Sequence, residues 1–140
     1  MIELIYYSRA IKPLTNNDVS IILEGAQEKN RERHLSGMLM FCNDIFLQLL
    51  EGERREVNHL FQSISHDARH FDIQIISVRE IQMRSFSVWS MAYLGAKEEK
   101  EIEINGRKVI FSPDDLNRES AYTLLQNQFK KIQLHPQEVL

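Results

Sequence analysis

The segment Ile45–Gly52, with the sequence IFLQLLEG, is the feature that most constrains how this chain can fold. Because side chains alternate along a strand, it predicts a β-strand that is apolar on both faces and carries one amide, Gln48. Such a strand needs a cover on each side, which places it inside a sheet between two layers. A carboxamide buried without partners costs about 1–3 kcal/mol. Gln48 therefore either has an ordinary hydrogen-bond partner or faces a polar ligand in an apolar slot.

Length and composition indicate one folded domain with room for a short appendage. The 140 residues are 43% hydrophobic and 26% charged, which is typical of a globular protein. The net charge of −3 provides no basic surface, so we expect no direct nucleic-acid binding. Cys42 is the single cysteine, which excludes an internal disulfide and a cysteine zinc cluster and fits a reducing, cytoplasmic setting. We expect no metal site.

Targeting and membrane signals are also absent from the sequence pattern. The N-terminus shows no charged segment followed by a long apolar run, so we expect no signal peptide. No stretch approaches ~18 consecutive apolar residues, so we expect no membrane span.

Apolar periodicity predicts an element order of βαββαββ over the first 95 residues. The predicted strands are residues 2–7, 34–42, 45–52, 73–81 and 86–94, and the predicted helices are residues 18–30 and 53–67. Asn43 and Asp44 form a two-residue turn that pairs the second and third strands as a hairpin. Right-handed crossovers then place both helices on one face of a single sheet, in a ferredoxin-like α+β arrangement. The apolar stripes of the two helices flank a slot above the central strands.

The remaining residues, 96–140, are predicted to form a mostly helical extension that covers the other sheet face or a neighbouring subunit. Residues 97–101 are a charged connection, and residues 102–111 form either a hairpin through Asn105-Gly106 or an extended loop. Ser112 and Pro113 look like the cap and first position of a helix. Its apolar positions are Leu116, Tyr122, Leu125, Phe129 and Ile132.

Several polar residues near the predicted slot have ordinary structural explanations when they are considered singly. Tyr6 is explained as a strand tyrosine that packs its ring and hydrogen-bonds its hydroxyl. Asn30, on the apolar stripe of the first helix, is explained as an end cap. Arg69 and His70 are explained as cations that complement the C-terminal dipole of the second helix, with Asp67 at the edge of its stripe.

Residues 1 to about 95, taken together, resemble the BLUF domain, a blue-light sensor that uses a flavin. The resemblance rests on six segments in the family's order and at closely matching spacing. They are LIYYS at 4–8, AQEKN at 26–30, SGML at 36–39, FLQLLEG at 46–52, DARH at 67–70 and RSFSVWSM at 84–91. The F-x-Q-x-L-E-G and W-S-M strings are highly specific when both occur in one chain. The resemblance outweighs the explanations that treat the residues singly.

The resemblance implies a role for each matching residue around a flavin ring held between the two helices. Tyr6 would be the light-driven electron and proton donor. Gln48 would lie between Tyr6 and the N5/O4 edge of the flavin and would change its hydrogen bonds after excitation. Asn30 would bind the pyrimidine edge, and Arg69 would reach the other carbonyl.

Further roles implied by the resemblance concern the walls of the pocket and the exit of the signal. Asp67 and His70 would line or orient the end near Arg69, while Ile22 and Ile64 would clamp the ring faces. Trp89 and Met91, on the last strand, would be the relay out of the pocket. The resemblance implies a flavin, with FAD favoured. FMN and riboflavin remain open, because the chain has no glycine-rich phosphate loop and the family holds its cofactor mainly by the ring.

The predicted function is a non-enzymatic photoreceptor with a sensor at 1–95 and an interaction segment at 96–140. It would signal through the last strand and the extension, either to an unidentified downstream protein or through a homo-oligomer. Short members of the family tend to form homo-oligomers. The alternative is a ferredoxin-like hydrolase or binding module of the acylphosphatase type. That class needs a phosphate cradle, for which Arg9 is the nearest candidate but lacks a glycine-rich loop. A flavoprotein reductase is a third possibility.

Overall fold

The structure is a computed structural model that describes residues 1–94, 101–104 and 106–134. The main sheet has five strands, β1–β5, and two helices, α1 and α2, connect them. The elements are β1 (Ile2–Ala10), α1 (Asn16–Glu32), β2 (Ser36–Cys42), β3 (Ile45–Gly52), α2 (Arg54–Ser65), β4 (His70–Glu80) and β5 (Trp89–Tyr93). This is the predicted βαββαββ order.

The strand order β4-β1-β3-β2-β5 places β3 at the centre of the sheet, as its two apolar faces require. All neighbours pair antiparallel except β2 and β5, which run parallel. The register sets Tyr6 and Leu39 directly opposite Gln48 on the two sides of β3, and Met91 opposite Leu39. One row of side chains therefore crosses the sheet on the face that carries α1 and α2.

The turn between β2 and β3 forms as predicted at Asn43 and Asp44. Both residues have positive φ, 54° and 61°, as a two-residue type I′ turn requires. Asn and Asp tolerate this region better than most residues, so no glycine is needed. Gly37 in β2 is different: at φ 146°, a Cβ atom there would lie 2.0 Å from the backbone oxygen of Leu49. Only glycine allows β2 to approach β3 this closely.

Several predicted boundaries were wrong by a few residues, including the end of β1, which runs on to Ala10 instead of ending at Tyr7. α1 continues past Asn30 to Glu32, and His34 then adopts a positive φ of 56° before β2 begins at Ser36. β4 begins at His70 because that residue pairs with Ala10 of β1, which sequence periodicity does not reveal. β5 begins at Trp89, since Phe86 lies outside regular structure and residues 87 and 88 form a bend.

The C-terminal extension contains a hairpin, a 3₁₀ turn and a helix. The hairpin joins β6 (Glu101–Ile104) to β7 (Arg107–Ile110), with Gly106 at φ 79° in the turn. The 3₁₀ turn is Pro113–Asp115 and the helix α3 is Arg118–Leu134. Asn105 and most of the predicted charged connection, residues 97–100, lie outside the described residues.

The helix start predicted at Ser112 and Pro113 was wrong. These residues open only the short 3₁₀ turn, and Leu116 is extended after it. The start of α3 is stabilised by Asn117, whose Oδ1 accepts from the backbone N–H of Ser120 at 2.9 Å while Ser120 Oγ accepts from the Asn117 N–H at 3.0 Å. This reciprocal pair satisfies N–H groups that a helix end otherwise leaves unpaired.

Two apolar cores lie on opposite faces of the sheet. One contains side chains of β1, β2, β3 and β5 beneath α1 and α2, including Leu4, Leu39 and Leu50, which pack with Val57 of α2. The other lies between the sheet and α3 and is formed by residues such as Met38, Leu47, Leu49, Leu125 and Phe129. The extension therefore covers the second face of the central strand, as predicted.

Three polar contacts fix the extension to β1, one of them an ion pair between Arg9 Nη2 and Asp114 Oδ2 at 3.6 Å. Glu3 is fully buried. Its carboxylate accepts hydrogen bonds from Nε and Nη2 of Arg118, both at 3.0 Å, and from Nε of Arg79 at 3.1 Å. The Tyr7 hydroxyl donates to Asp114 at 2.6 Å. A forked guanidinium–carboxylate pair is among the stronger side-chain interactions, so Glu3 and Arg118 hold the start of α3 against the sheet.

Arg118→Gln is expected to lower the free energy of unfolding by about 2 kcal/mol, because it leaves the buried Glu3 carboxylate with Arg79 as its remaining cation. Urea denaturation measures this loss. Lys130→Gln, an exposed substitution further along α3, is the control and should stay within about 0.5 kcal/mol of the parent. A similarly small effect of Arg118→Gln would show that the pairing of Arg118 with Glu3 does not hold the extension.

Candidate functional site

A cleft with a volume of about 450 Å³ lies between α1 and α2, above the sheet face that carries Gln48. Nearly all the residues predicted to form the site line this cleft. They are Tyr6, Ile22, Asn30, Gln48, Ile64, Asp67, Arg69, His70 and Trp89. Met91 is the exception: it is buried in the core on the same face of β5, opposite Leu39 in β2. The fold therefore brings together residues that are up to 83 positions apart, from Tyr6 to Trp89.

Gln48 joins Tyr6 to Trp89 through a buried chain of hydrogen bonds. Its Nε2 donates to the Tyr6 hydroxyl at 2.6 Å, and its Oε1 accepts from the indole Nε1 of Trp89 at 2.9 Å. All three side chains are 5% exposed or less. An indole N–H can only donate, so Trp89 determines which end of the amide is the oxygen and directs the NH₂ group to Tyr6.

Tyr6 is held in a setting that keeps its proton on the hydroxyl. Burial raises the pKa of Tyr6 well above its ordinary value, with a smaller opposing effect from the Gln48 hydrogen bond. The ring packs edge-on against Phe61 of α2, with 5.4 Å between centroids. Since the hydroxyl oxygen accepts from Gln48, its own proton is available to another acceptor, and no described residue supplies one.

Asn30 presents a second buried polar group to the cleft. It is 3% exposed, yet its carboxamide hydrogen-bonds to no residue in the described ranges. The explanation of Asn30 as an end cap was wrong, because α1 runs on to Glu32. Because Asn30 lines the cleft, its carboxamide is suited to a ligand with hydrogen-bonding groups on its edge.

The end of the cleft nearest the start of β4 carries Asp67, Arg69 and His70. The Arg69 side chain and backbone N–H donate to the Asp67 carboxylate at 2.5 to 3.1 Å. These hydrogen bonds lower the pKa of Asp67 and raise that of Arg69. His70 Nε2 donates to the Ile64 carbonyl at the end of α2, and Nδ1 contacts Ser8 at 2.7 Å. His70 thus satisfies the helix end, while Arg69 pairs with Asp67.

The walls between these polar groups are mainly aliphatic. Ile22 and Ile64 line the cleft from the two helices, together with Leu39 and Leu60, which sequence reasoning did not assign to the site. Both could have been found, since Leu39 is opposite Gln48 in the predicted hairpin and Leu60 is one helical turn before Ile64. At Gly25, another lining residue, an added Cβ would meet nothing within 4 Å.

A buried carboxylate that the sequence did not reveal fixes the segment leading to Trp89. Glu51 is fully buried, and its Oε1 accepts from Ser36 Oγ at 3.0 Å and from the backbone N–H groups of Ser85 at 3.0 Å and Phe86 at 2.7 Å. Arg84 donates to Ser36 Oγ and to the Glu51 backbone carbonyl. β3 therefore determines both the position of Gln48 and the entry of the chain into β5.

The fold and cleft define a ferredoxin-like α+β domain with a ligand site between its two helices. The chain belongs to the BLUF family: the family model, described as sensors of blue-light using FAD, matches residues 1–92. It is thus a member of a family of blue-light flavin photoreceptors. The residues of the cleft fit a flavin, because a flat ring with a polar rim needs aliphatic walls and a few polar groups at its edge.

Among known proteins, photoactivated adenylate cyclase subunit beta of Euglena gracilis is 33% identical over 89 residues, which are 63% of this chain and 10% of that protein. Subunit alpha from the same organism is 30% identical over 86 residues, 61% of this chain and 8% of that one. The match thus spans about a tenth of these relatives.

Among solved structures, BlsA in its photo-activated state has a TM-score of 0.70 and 27% identity, and the match covers 91% of this chain and 93% of BlsA. Klebsiella pneumoniae BlrP1 with FMN and cyclic diGMP has a TM-score of 0.60 and 29% identity, covering 67% of this chain and 25% of BlrP1. These matches confirm the predicted family and fold, and they do not favour the acylphosphatase-type alternative.

The described residues contain neither a membrane-spanning helix nor a cluster of metal ligands. No helix among them is long and apolar enough to cross a membrane. No group of three or more His, Cys, Asp or Glu side chains in the same residues could hold a metal ion.

Proposed function

We propose that this protein is a blue-light photosensor in which Tyr6, Gln48 and Trp89 form the light-responsive unit. The observation that carries the proposal is their buried hydrogen-bond chain beside a cleft of about 450 Å³. A flavin, when bound in this cleft, supplies the absorption of blue light. Ile22 and Ile64 would hold its ring, and Asn30 would bind its edge, since the Asn30 carboxamide has no partner among the described residues.

The proposed switch is a change in the hydrogen bonds of Gln48. In the arrangement described above, the amide donates to Tyr6 and accepts from Trp89. Rotation of the amide by half a turn would place its oxygen opposite Tyr6, whose hydroxyl would then donate. The same rotation would place an N–H opposite the Trp89 N–H, which cannot accept. A change of tautomer in the Gln48 amide, without rotation, would instead keep its oxygen facing the Trp89 N–H.

Tyr6 is the proposed donor of the electron and proton in the light reaction. Its raised pKa keeps the phenol protonated in the dark, and Gln48 is in hydrogen-bond contact with its oxygen. A change at the phenol would therefore alter first its hydrogen bond with the Gln48 amide and then the hydrogen bond between that amide and Trp89. Arg69 and His70 are proposed to shape the far end of the pocket, with Asp67 orienting Arg69.

We propose that the signal leaves through β5 and the extension. Trp89 begins β5, and Met91 lies two residues further on the same face. β1 offers a second connection, because Tyr6 faces the cleft while the neighbouring Tyr7 contacts Asp114 of the extension. On this proposal, residues 1–95 are the sensor and residues 96–140 the interaction segment. The protein would be cytoplasmic and non-enzymatic, signalling to a downstream protein or through a homo-oligomer.

The direct test is an absorption spectrum of the purified protein before and after blue light. We expect a flavin spectrum whose bands shift reversibly by several nanometres to the red. Tyr6→Phe should abolish the shift and still bind flavin, because the ring and its contact with Phe61 are kept.

The matched control is Tyr7→Phe, one residue along the same strand. Tyr7 faces the extension, so removal of its hydroxyl should leave the red shift of the flavin intact. A normal shift in Tyr6→Phe would contradict the assigned role of Tyr6. Colourless, folded protein that takes up no added flavin would contradict the proposed function, and size-exclusion chromatography in darkness and light tests the oligomer.

A further inference from the structure

We propose that Arg33, assisted by Lys29, binds the phosphate of a phosphorylated flavin, so that this protein prefers FMN and FAD to riboflavin. This inference rests on the proposed function, because it concerns the ligand of the same cleft. Neither residue belongs to the site predicted from the sequence. Three features of the structure support the assignment: the charge of the cleft, the partners of its cations and a depression beside its mouth.

The cleft is positively charged although the chain as a whole is acidic. Among the described residues that line it are three cations, Lys29, Arg33 and Arg69, and a single carboxylate, Asp67. The whole chain has a net charge of −3. A flavin ring is uncharged and needs no such excess of positive charge. A phosphate ester carries between one and two negative charges near neutral pH and would be stabilised by it.

The cations differ in how well they are neutralised. Arg69 is engaged by Asp67 through several hydrogen bonds, so that end of the cleft offers little free positive charge. Arg33 forms an ion pair with Glu56. The distance from Arg33 Nε to Glu56 Oε2 is 4.0 Å, which is at the limit for such a contact. Lys29 makes no ion pair with any residue in the described part of the chain. The available positive charge is therefore at the end of α1.

A depression of about 520 Å³ extends the cleft at this end. Arg33 and Ser63 line both, and the other walls of the depression are His59, Gln62 and His66. None of the described residues that line it is acidic. A guanidinium presents a planar fork to phosphate oxygens, and the His59 ring N–H can add a further hydrogen bond. Ser63 Oγ already donates to the His59 carbonyl, and His66 Nδ1 to the Gln62 carbonyl. The ring would fill the cleft, and the phosphate would bind beside Arg33.

The experiment is a titration of the full chain, freed of flavin, with riboflavin, FMN and FAD, followed by quenching of flavin fluorescence. We expect FMN and FAD to bind about tenfold more tightly than riboflavin at low salt, as one or two partly exposed charge pairs would produce. The difference should shrink as salt is raised, because screening weakens exposed pairs and leaves the binding of the ring unchanged.

Arg33→Gln should reduce the affinity for FMN about fivefold and leave that for riboflavin unchanged. Arg33 is about half exposed, so the variant should fold, which circular dichroism checks. Arg31→Gln is the matched control: Arg31 is an arginine of the same helix that pairs with Glu28 and does not line the cleft. It should leave all three affinities unchanged.

The outcomes separate this inference from the proposed function. Equal affinity for the three flavins, within twofold, would overturn the phosphate site and leave the photosensor intact. The phosphate site is also overturned if Arg33→Gln weakens riboflavin as much as FMN, since Arg33 would then act on the ring or the fold. Failure of all three flavins to bind would overturn the proposed function and this inference together.

Discussion

Gln48→Leu is expected to abolish the reversible red shift of the bound flavin. Leucine fills a similar volume on the same face of β3, so the apolar packing of the central strand is kept. It can neither donate to the Tyr6 hydroxyl nor accept from Trp89 Nε1, so the hydrogen-bond chain is cut at its centre. Flavin should still bind, because Asn30 and the aliphatic walls remain. Absorption spectra before and after illumination measure both properties.

The substitution should also reduce stability, since it leaves the buried indole N–H of Trp89 without its acceptor. A buried donor left unpaired costs about 1–3 kcal/mol, which urea denaturation would detect. Gln128→Leu is the control, because Gln128 is another buried glutamine but lies on α3 across the sheet. It should leave the spectral shift unchanged. A full-sized shift in Gln48→Leu would show that the amide is not the switch.

The features that were predictable from sequence are those that depend on local periodicity. Alternation along Ile45–Gly52 determined that both faces of β3 are covered, and helical stripes located the two layers. The Asn43-Asp44 turn fixed the register of β2 and β3, which placed Leu39 opposite Gln48. The grouping of Tyr6 with Gln48 came from the family resemblance, because no local pattern sets the register between β1 and β3.

The features that were not predictable depend on partners distant in sequence. Nothing in the sequence indicates the partner of Glu3, which is fully buried because Arg118, 115 residues away, packs beside it. The strand start at His70 likewise depends on pairing with Ala10. Composition and spacing carry no trace of such long-range contacts.

Glu51 is another long-range feature, and its replacement should have the largest effect on stability. Glu51→Leu would leave the backbone N–H groups of the partly buried Ser85 and the buried Phe86 unpaired, and would remove the acceptor of the Ser36 hydroxyl. Loss of a buried charged acceptor with several donors is expected to cost about 3–5 kcal/mol. Urea denaturation followed by circular dichroism measures the free energy of unfolding.

Glu51→Gln distinguishes the hydrogen bonds from the apolar packing around them. Its amide keeps one acceptor oxygen for Phe86 and Ser36, so the loss should be smaller, about 1–2 kcal/mol. Glu80→Gln, which alters an exposed ion pair with Arg54, is the control and should change stability by less than about 1 kcal/mol. If Glu51→Leu costs no more than this control, the carboxylate does not hold the segment.

The same variants test whether Glu51 affects the light-responsive unit. Ser85 and Phe86 lie a few residues before Trp89, the one tryptophan of the chain, so tryptophan fluorescence reports directly on its setting. If the segment before β5 loosened, the Trp89 indole could move away from Gln48, because their 2.9 Å hydrogen bond depends on the position at which β5 begins. We therefore expect Glu51→Gln to change the emission of Trp89 and the rate of dark recovery, whereas Glu80→Gln changes neither.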